Sequence, residues 1–221
     1  MANNFKNAVL RNISADSTLP TEIYKAPNSK KAIAIEIDVA NKSSAGVTVT
    51  VQLEDESSNL AGTTAQQVST VATNTTGLLT TAAAHGLVVN DRIVFTNGTD
   101  PSFTDASLPP SADAALSETR MYYVQSVGSG ASPTTLTIAE SRNANTALSF
   151  DTNGASVVFT KIHIADVIKD APVPVGGTLK VISGQKLVLE STATDNNDKI
   201  YAYCSSANNV DCIASVLEDV S

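Results

Sequence analysis

Alternation of apolar and polar side chains is the dominant pattern of this chain, and its two-residue period is that of β-strands. Residues 32–39 place three isoleucines and Val39 on one face, and residues 47–53 alternate in the same way with β-branched side chains. Residues 41–46 between them are polar and typical of a turn. These two runs are therefore predicted to form a β-hairpin.

The same alternation returns in the last third of the chain. Strands are predicted there over residues 161–168, 178–182, 186–190, 199–205 and 211–216. Residues 171–177 contain Pro172 and Pro174, which cannot donate to a strand ladder, so this segment is predicted to be a turn or a sheet edge. Gly184 and the run 195–198 mark turns.

The middle of the chain has a different residue composition and pattern. It begins with a Thr-rich alternating stretch over residues 68–79, and further strands are predicted over residues 92–96, 121–127, 134–139 and 157–160. Residues 97–118, which contain three prolines, are predicted to form a long loop, and only residues 113–119 have the character of a helical turn.

The chain begins and ends with strands of the same type, and a distinct set of strands lies between them. This order predicts an all-β architecture in which one domain is inserted into another. Neither outer part has enough strands to close a core alone. We therefore predict a β-sandwich, jelly-roll or immunoglobulin-like, from residues 1–65 and 161–221 with an extended N-terminal arm, and a second small β-domain inserted at residues 66–160.

Composition narrows the range of partners. The net charge is −8 and the basic residues are scattered, with Lys30 and Lys31 the only adjacent pair, so nucleic acid is not predicted to bind directly. Charged residues make up 16% of the chain, and this mostly neutral polar surface suits close packing in an assembly. No apolar run spans a membrane, and the start lacks signal-peptide features, so synthesis in a cytoplasm is expected.

Residues that commonly carry chemistry are few. His85 lies in a turn-like triplet, where its ring is predicted to hold the turn through backbone hydrogen bonds, and His163 is predicted to face solvent or an interface. The run 195–198 lacks the spacing of a calcium loop and is predicted to be a capped turn. The sequence predicts no catalytic residue, no metal site and no cofactor, and hence no enzyme.

Two pairs of residues leave alternatives open. Cys204 and Cys212 flank Asn208-Asn209, and they would face each other if these asparagines formed a hairpin turn; reduced thiols are favoured over a disulfide. Tyr122 and Tyr123 are adjacent in a predicted strand, so one is expected in the core and the other exposed, where it would pack against a partner or stack on a sugar.

The inserted segment resembles a module of bacteriophage tail and virion proteins. The residues that carry the resemblance are His85, Gly86, Leu87, Asp91, Val94, Phe95, Tyr122, Tyr123, Val124, Leu136, Ala139, Leu148, Phe150 and Gly154. Asn90 stands where the module often has Gly, and Asn tolerates the left-handed conformation that this turn requires. The outer parts resemble small phage structural proteins through motifs such as 24–27 and 174–177, and Phe5, Tyr24 and Pro27 are the predicted interaction residues.

The resemblance implies a non-enzymatic structural component of a tailed-phage particle, made in the host bacterial cytoplasm and located in the virion. Its expected partners are other virion proteins, and a homo-oligomer is expected. Capsid decoration is the favoured role. A neck or tail structural protein is the first alternative, and a receptor- or carbohydrate-binding module of a tail fibre is the second.

Overall fold

The computed structural model describes residues 4–56, 66–71, 77–95, 120–148, 158–193 and 196–219. Within these ranges the protein is all-β, as predicted, with antiparallel sheets and no helix. The strands in chain order are β1 (Asn4–Leu10), β2 (Thr21–Lys25), β3 (Lys31–Asn41), β4 (Val47–Glu54), β5 (Gln66–Val71), β6 (Leu79–Thr81), β7 (Arg92–Phe95), β8 (Met121–Val127), β9 (Thr135–Ala139), β10 (Val158–Ile162), β11 (Ile164–Val173), β12 (Thr178–Ile182), β13 (Leu187–Ala193), β14 (Asn196–Asn197), β15 (Lys199–Cys204) and β16 (Val210–Glu218).

The chain divides into two compact units, one built from residues 1–60 and 163–221 and the other from residues 61–162. We call them unit 1 and unit 2. The chain leaves unit 1 after β4 and returns at β11, and these two strands pair with each other. At this point the Asp55 N–H donates to the His163 carbonyl at 2.8 Å, so the exit and return of the chain are adjacent.

Unit 1 contains two antiparallel sheets that share one core. In the first sheet the order is β1-β16-β3-β13-β14, with β12 also paired to β3; in the second it is β11-β4-β15-β2. Val39 and Cys212 of the first sheet belong to the same buried cluster as Val49, Val51 and Ala202 of the second. Apolar burial between the two sheets is therefore the main stabilising contribution to unit 1.

The hairpin predicted for residues 32–53 is wrong, although its strands are present, and the hairpin considered at Asn208-Asn209 does not form either. β3 lies in the first sheet and β4 in the second, and β15 and β16 are divided in the same way. At the first crossing the buried Asn41 braces the corner: its Nδ2 donates to the carbonyls of Ala45 at 2.8 Å and Val173 at 3.1 Å, and its Oδ1 accepts from the Ser43 N–H. A polar turn segment can thus connect strands in two different sheets of a sandwich, as it does here, as well as the two strands of a hairpin.

A β-bulge in β3 changes which isoleucines face the core. Opposite β16, the register shifts so that Ser215 pairs with Glu36 while Val216 pairs with Ala34, which leaves Ile35 as the extra residue. Ile37 is fully buried in the core, whereas Ile33 lies between buried alanines and faces outward. The predicted single apolar face of residues 32–39 is therefore wrong.

The predicted N-terminal arm is not free of the sandwich. Residues 4–10 form β1 and pair with β16 over their whole length, and Ile13 is fully buried in the core of unit 1. Only Ala8 and Leu10 of β1 pack against the core, so the segment shows little alternation of apolar and polar residues. The sequence therefore did not predict a strand here.

Unit 2 is a closed barrel with the strand order β10-β5-β6-β9-β8-β7. β10 pairs with both β5 and β7 and thereby closes the barrel. The buried cluster inside it consists of Leu79, Leu87, Ile93, Phe95, Tyr122, Val124, Leu136, Ile138, Leu148 and Phe159. The predicted loop at 97–118, the predicted helical turn at 113–119, Phe150 and Gly154 lie outside the described residues.

Candidate functional site

The His85-Gly86-Leu87 triplet forms a braced turn in unit 2. The His85 Nδ1 accepts the Leu87 N–H at 3.1 Å, so the proton is on Nε2, which lies 3.1 Å from the Thr135 carbonyl and donates to it. Gly86 has φ +65°, a conformation in which a side chain is strained, and Leu87 is buried in the barrel core. Both ring nitrogens of His85 thus form hydrogen bonds with backbone groups, as the sequence predicted.

We expect His85→Ala to destabilise unit 2 by about 1–2 kcal/mol, because it leaves the Leu87 N–H and the Thr135 carbonyl without their side-chain partner. Hydrogen exchange of β8 and β9, followed by mass spectrometry, measures this loss. Val88→Ala is the matched control, since Val88 is 60% exposed in the same turn region. Equal exchange in His85→Ala and wild type would show that the ring does not hold the turn.

Asp91 ties the end of this turn to two strands. Its Oδ2 accepts from the Val88 N–H at 2.9 Å and from the Lys161 Nζ at 2.8 Å, while its carbonyl accepts the Val124 N–H. Asn90 has φ +71°, which confirms the left-handed conformation predicted for it. The acidic residue of the module is therefore engaged by backbone and by one lysine inside unit 2.

Both tyrosines of the module are buried, which corrects the expectation that one is exposed. Tyr122 is 1% exposed and packs edge-to-face against Phe95, with ring centroids 5.5 Å apart. Tyr123 faces away from the barrel core but is only 4% exposed, because the guanidinium of Arg92 lies 4.5 Å from its ring centroid. Val124 is fully buried. Neither tyrosine presents a ring face for a sugar.

The predicted interaction residues lie in unit 1 and not with the module. The Tyr24 hydroxyl donates to the Glu218 Oε1 at 2.8 Å, and burial together with this carboxylate raises the pKa of Tyr24. Pro27 begins a turn in which its carbonyl accepts the Lys30 N–H. Phe5, by contrast, lies in β1 and is 71% exposed. Of the three, Phe5 is the one with a side chain free to contact a partner.

Phe5 begins an apolar row across the outward-facing side of the first sheet, which we call the outer row. The strand register places Phe5 opposite Leu217, Leu217 opposite Ile33, and Ile33 opposite Val188. Val188 is 49% exposed, and Leu217 and Ile33 are half-buried. Four strands thus contribute a contiguous line of apolar side chains outside the core, which is the kind of patch that marks a protein interface.

Paired charges lie on the same face of the first sheet as the outer row. Lys31 and Glu190 lie 2.7 Å apart, Lys42 and Asp211 also lie 2.7 Å apart, and Lys180 pairs with Glu36. Such exposed pairs contribute little to stability. They do neutralise part of the charge on this face in a chain whose net charge is −8, which reduces repulsion of another acidic subunit.

The second sheet carries a buried acidic group on its outward-facing side. Glu54 is 2% exposed; its carboxylate lies 3.4 Å from the Lys199 Nζ, which is also 3.2 Å from Glu56. Burial, opposed by Lys199 and reinforced by Glu56, raises the pKa of Glu54 to about 7. Tyr201 hydrogen-bonds Glu54, and its own burial, more than this carboxylate, raises the pKa of the Tyr201 phenol.

The cysteines are free thiols on different sheets. Cys204 pairs with Val49 in the second sheet and Cys212 with Val39 in the first, and both are buried. Burial raises the pKa of both, that of Cys212 to about 12. The predicted reduced state agrees with this placement, while the hairpin that would have brought the thiols together does not form.

The remaining candidates are Asn197 and His163. Asn197, in the predicted turn 195–198, is buried and its Nδ2 donates to the Ala26 carbonyl and to the Ser191 Oγ. His163 is half-buried between β10 and β11, which interrupts the single strand predicted there. Among the residues that the structure describes, no three His, Cys, Asp or Glu side chains are grouped so as to hold a metal ion.

Comparison of this chain with family models, with curated proteins and with solved structures found no match. Within the described ranges, no helix has the length and apolar character needed to cross a membrane.

Proposed function

We propose that this chain is a non-enzymatic structural subunit of a tailed-phage particle, which acts by binding other virion proteins. The observation that carries the proposal is the outer row of unit 1: four apolar side chains on four paired strands, bordered by neutralised charges. A face of this kind gains free energy when another protein covers it.

The module that resembles phage proteins supports the same proposal from unit 2. Its His85 and Asp91 hold turns, and its Tyr122, Tyr123 and Val124 fill or flank a packed barrel. A module whose described residues hold turns and fill a packed barrel suits a structural component of a particle. Capsid decoration remains the favoured role within this proposal, and a neck or tail position is the alternative.

The test is quantitative mass spectrometry of purified particles from cells that express the chain. The proposal expects the chain to copurify with the major capsid protein at a fixed ratio. Hundreds of copies per particle would assign it to capsid decoration, and a dozen or fewer to the neck or tail. Absence of the chain from particles that are otherwise complete would overturn the proposal.

A further inference from the structure

The edge of the first sheet at β1 lacks the features that protect sheet edges. β1 pairs with β16 through seven successive residues without a bulge, contains no proline, and carries Lys6 as its only charge. Among the described residues it has no other strand neighbour, so alternate backbone N–H and C=O groups of Asn4–Leu10 point away from the sheet. Such an edge is a template for another strand.

The other described sheet edges are poorer templates. β11 carries two register shifts and Pro172, β12 has five residues and a register shift against β3, β14 has two residues, and β2 is short with a register shift against β15. Bulges, prolines and short length are the usual means of blocking edge pairing. β1 therefore differs from the other edges of unit 1 in being long, regular and open.

The side chains of β1 add a second observation. Ala8 and Leu10 pack against the core, so Phe5, Asn7 and Val9 face outward; Phe5 is 71% exposed and Val9 58% exposed. Phe5 lies opposite Leu217, and Val9 lies opposite Ile213, which is itself 46% exposed. Apolar side chains thus reach the open edge at both ends of β1.

We propose that β1 binds β1 of a second copy of this chain, antiparallel and around a twofold axis at Asn7. This inference rests on the proposed function, since it names one partner of the same assembly surface. The pairing joins the two first sheets into one continuous sheet, in which the outer row of one copy continues onto Val9 and Ile213 of the other. The interface is isologous: both copies use the same surface, so each contact occurs twice, related by the twofold axis.

The sequence of β1 selects this register. With Asn7 on the axis, Phe5 lies opposite Val9 of the second copy, and Asn7 lies opposite its own counterpart. A shift by two residues would place Phe5 opposite Asn7 or Arg11 instead and lose both apolar pairs. Directly opposed side chains lie about 5 Å apart at their Cβ atoms, so the Phe5–Val9 pairs make contact across the axis.

The charges of β1 permit the same pairing. Lys6 lies opposite Ala8 of the second copy, and its Nζ is bound to the Glu218 carboxylate of its own chain at 2.7 Å. No like charges therefore face each other across the new strand pair. The acidic chain as a whole repels a second copy, but this edge does not.

Cysteine crosslinking of the full chain tests the register. In Asn7→Cys the two new thiols lie on the axis, about 5 Å apart between Cα atoms, within the range for a disulfide. We expect a covalent dimer under mild oxidation. Val188→Cys is the control, because it lies on the same face but away from β1, and both native cysteines are buried. Crosslinking no faster in Asn7→Cys than in Val188→Cys would overturn the proposal.

Charge exchange gives a second test that depends on the same register. Light scattering should show a dimer for wild type, and Phe5→Glu/Val9→Glu should raise its dissociation constant by about tenfold or more, since each glutamate faces another. Phe5→Glu/Val9→Lys places opposite charges across the axis and should restore the dimer relative to the Glu/Glu variant. Both changes are at exposed positions, so circular dichroism should be unchanged.

A monomeric wild type at high concentration, or no difference between the two double variants, would also overturn the pairing. These outcomes are separable from failure of the proposed function. A monomer that still copurifies with particles refutes the β1 pairing alone, and a dimer absent from particles refutes the virion role alone.

Discussion

Phe159→Ala is expected to destabilise unit 2 by about 3–5 kcal/mol, the cost of removing a large aromatic side chain from a closed core. Phe159 is 1% exposed and lies on β10, the strand that closes the barrel between β5 and β7. Its ring meets Phe95 edge-to-face at 6.3 Å, and Phe95 in turn meets Tyr122. The substitution therefore leaves a cavity beside two other aromatic rings and weakens barrel closure.

Hydrogen exchange resolves this effect along the chain. Amides of β7, β8 and β9 should lose most of their protection in Phe159→Ala, while β3 and β16 of unit 1 provide the internal reference. Val89→Ala, at a position 47% exposed in the same unit, should leave exchange unchanged. Full retention of protection in β8 would show that the aromatic cluster does not hold the barrel together.

The second large effect is a loss of stability of unit 1 as the pH rises. Below its ordinary pKa of 4.5, Glu54 is protonated in both the folded and the unfolded chain. Above that pH the unfolded chain releases the proton, whereas the folded protein retains it until about pH 7. The folded state of unit 1 therefore loses stability between about pH 4.5 and about pH 7, because the buried carboxyl must ionise there, and the loss amounts to about 3 kcal/mol at most.

Calorimetric unfolding of wild type and Glu54→Gln between about pH 5 and about pH 8 measures this effect. The wild type should lose stability over that window, and Glu54→Gln should lose much less, because its amide does not titrate and Lys199 retains Glu56 at 3.2 Å. Glu190→Gln, which removes an exposed carboxylate paired with Lys31, is the control. Parallel slopes in wild type and Glu54→Gln would contradict the assignment.

The strands of this protein follow from its sequence more readily than their partners do. Alternation predicted residues 47–53 and 121–127, and the structure has strands at Val47–Glu54 and Met121–Val127. Alternation assigns side chains to faces but carries no information on which strand lies alongside. The polar segment after Asn41 suits a hairpin or a sandwich corner equally, and the contacts of Asn41 with Val173, distant in sequence, decide for the corner.

Two features of the candidate sites, the burial of Tyr123 and the outer row, could not be predicted from the alternation of apolar and polar residues. A side chain that faces away from the barrel core is not necessarily exposed. Tyr123 is covered by Arg92 of the neighbouring strand, and only the register of β7 and β8 reveals this contact. The outer row depends on the bulge at Ile35, which leaves the alternation of β3 intact in sequence while reversing its faces. The unbroken apolar run of Leu187, Val188 and Leu189 was the available signal for apolar residues on both faces.

The role of His85 was predictable because its neighbours are local. Gly86 and Leu87 follow it directly, and one of its two ring contacts is to the Leu87 N–H. Its second contact, to Thr135, required the pairing of β6 with β9 and was not predictable. Local turn chemistry was thus readable from the sequence, whereas contacts between distant strands were not.

We infer that the outer row of unit 1 attaches this chain to a particle. The most direct measurement is the copy number of Val188→Glu in purified particles, with Val175→Glu as the matched control at a position 58% exposed in a turn of the same unit. We expect Val188→Glu to be depleted from particles by about tenfold or more, because it buries a charge in the interface, and Val175→Glu to be retained. Retention of a folded Val188→Glu at the wild-type copy number would contradict it.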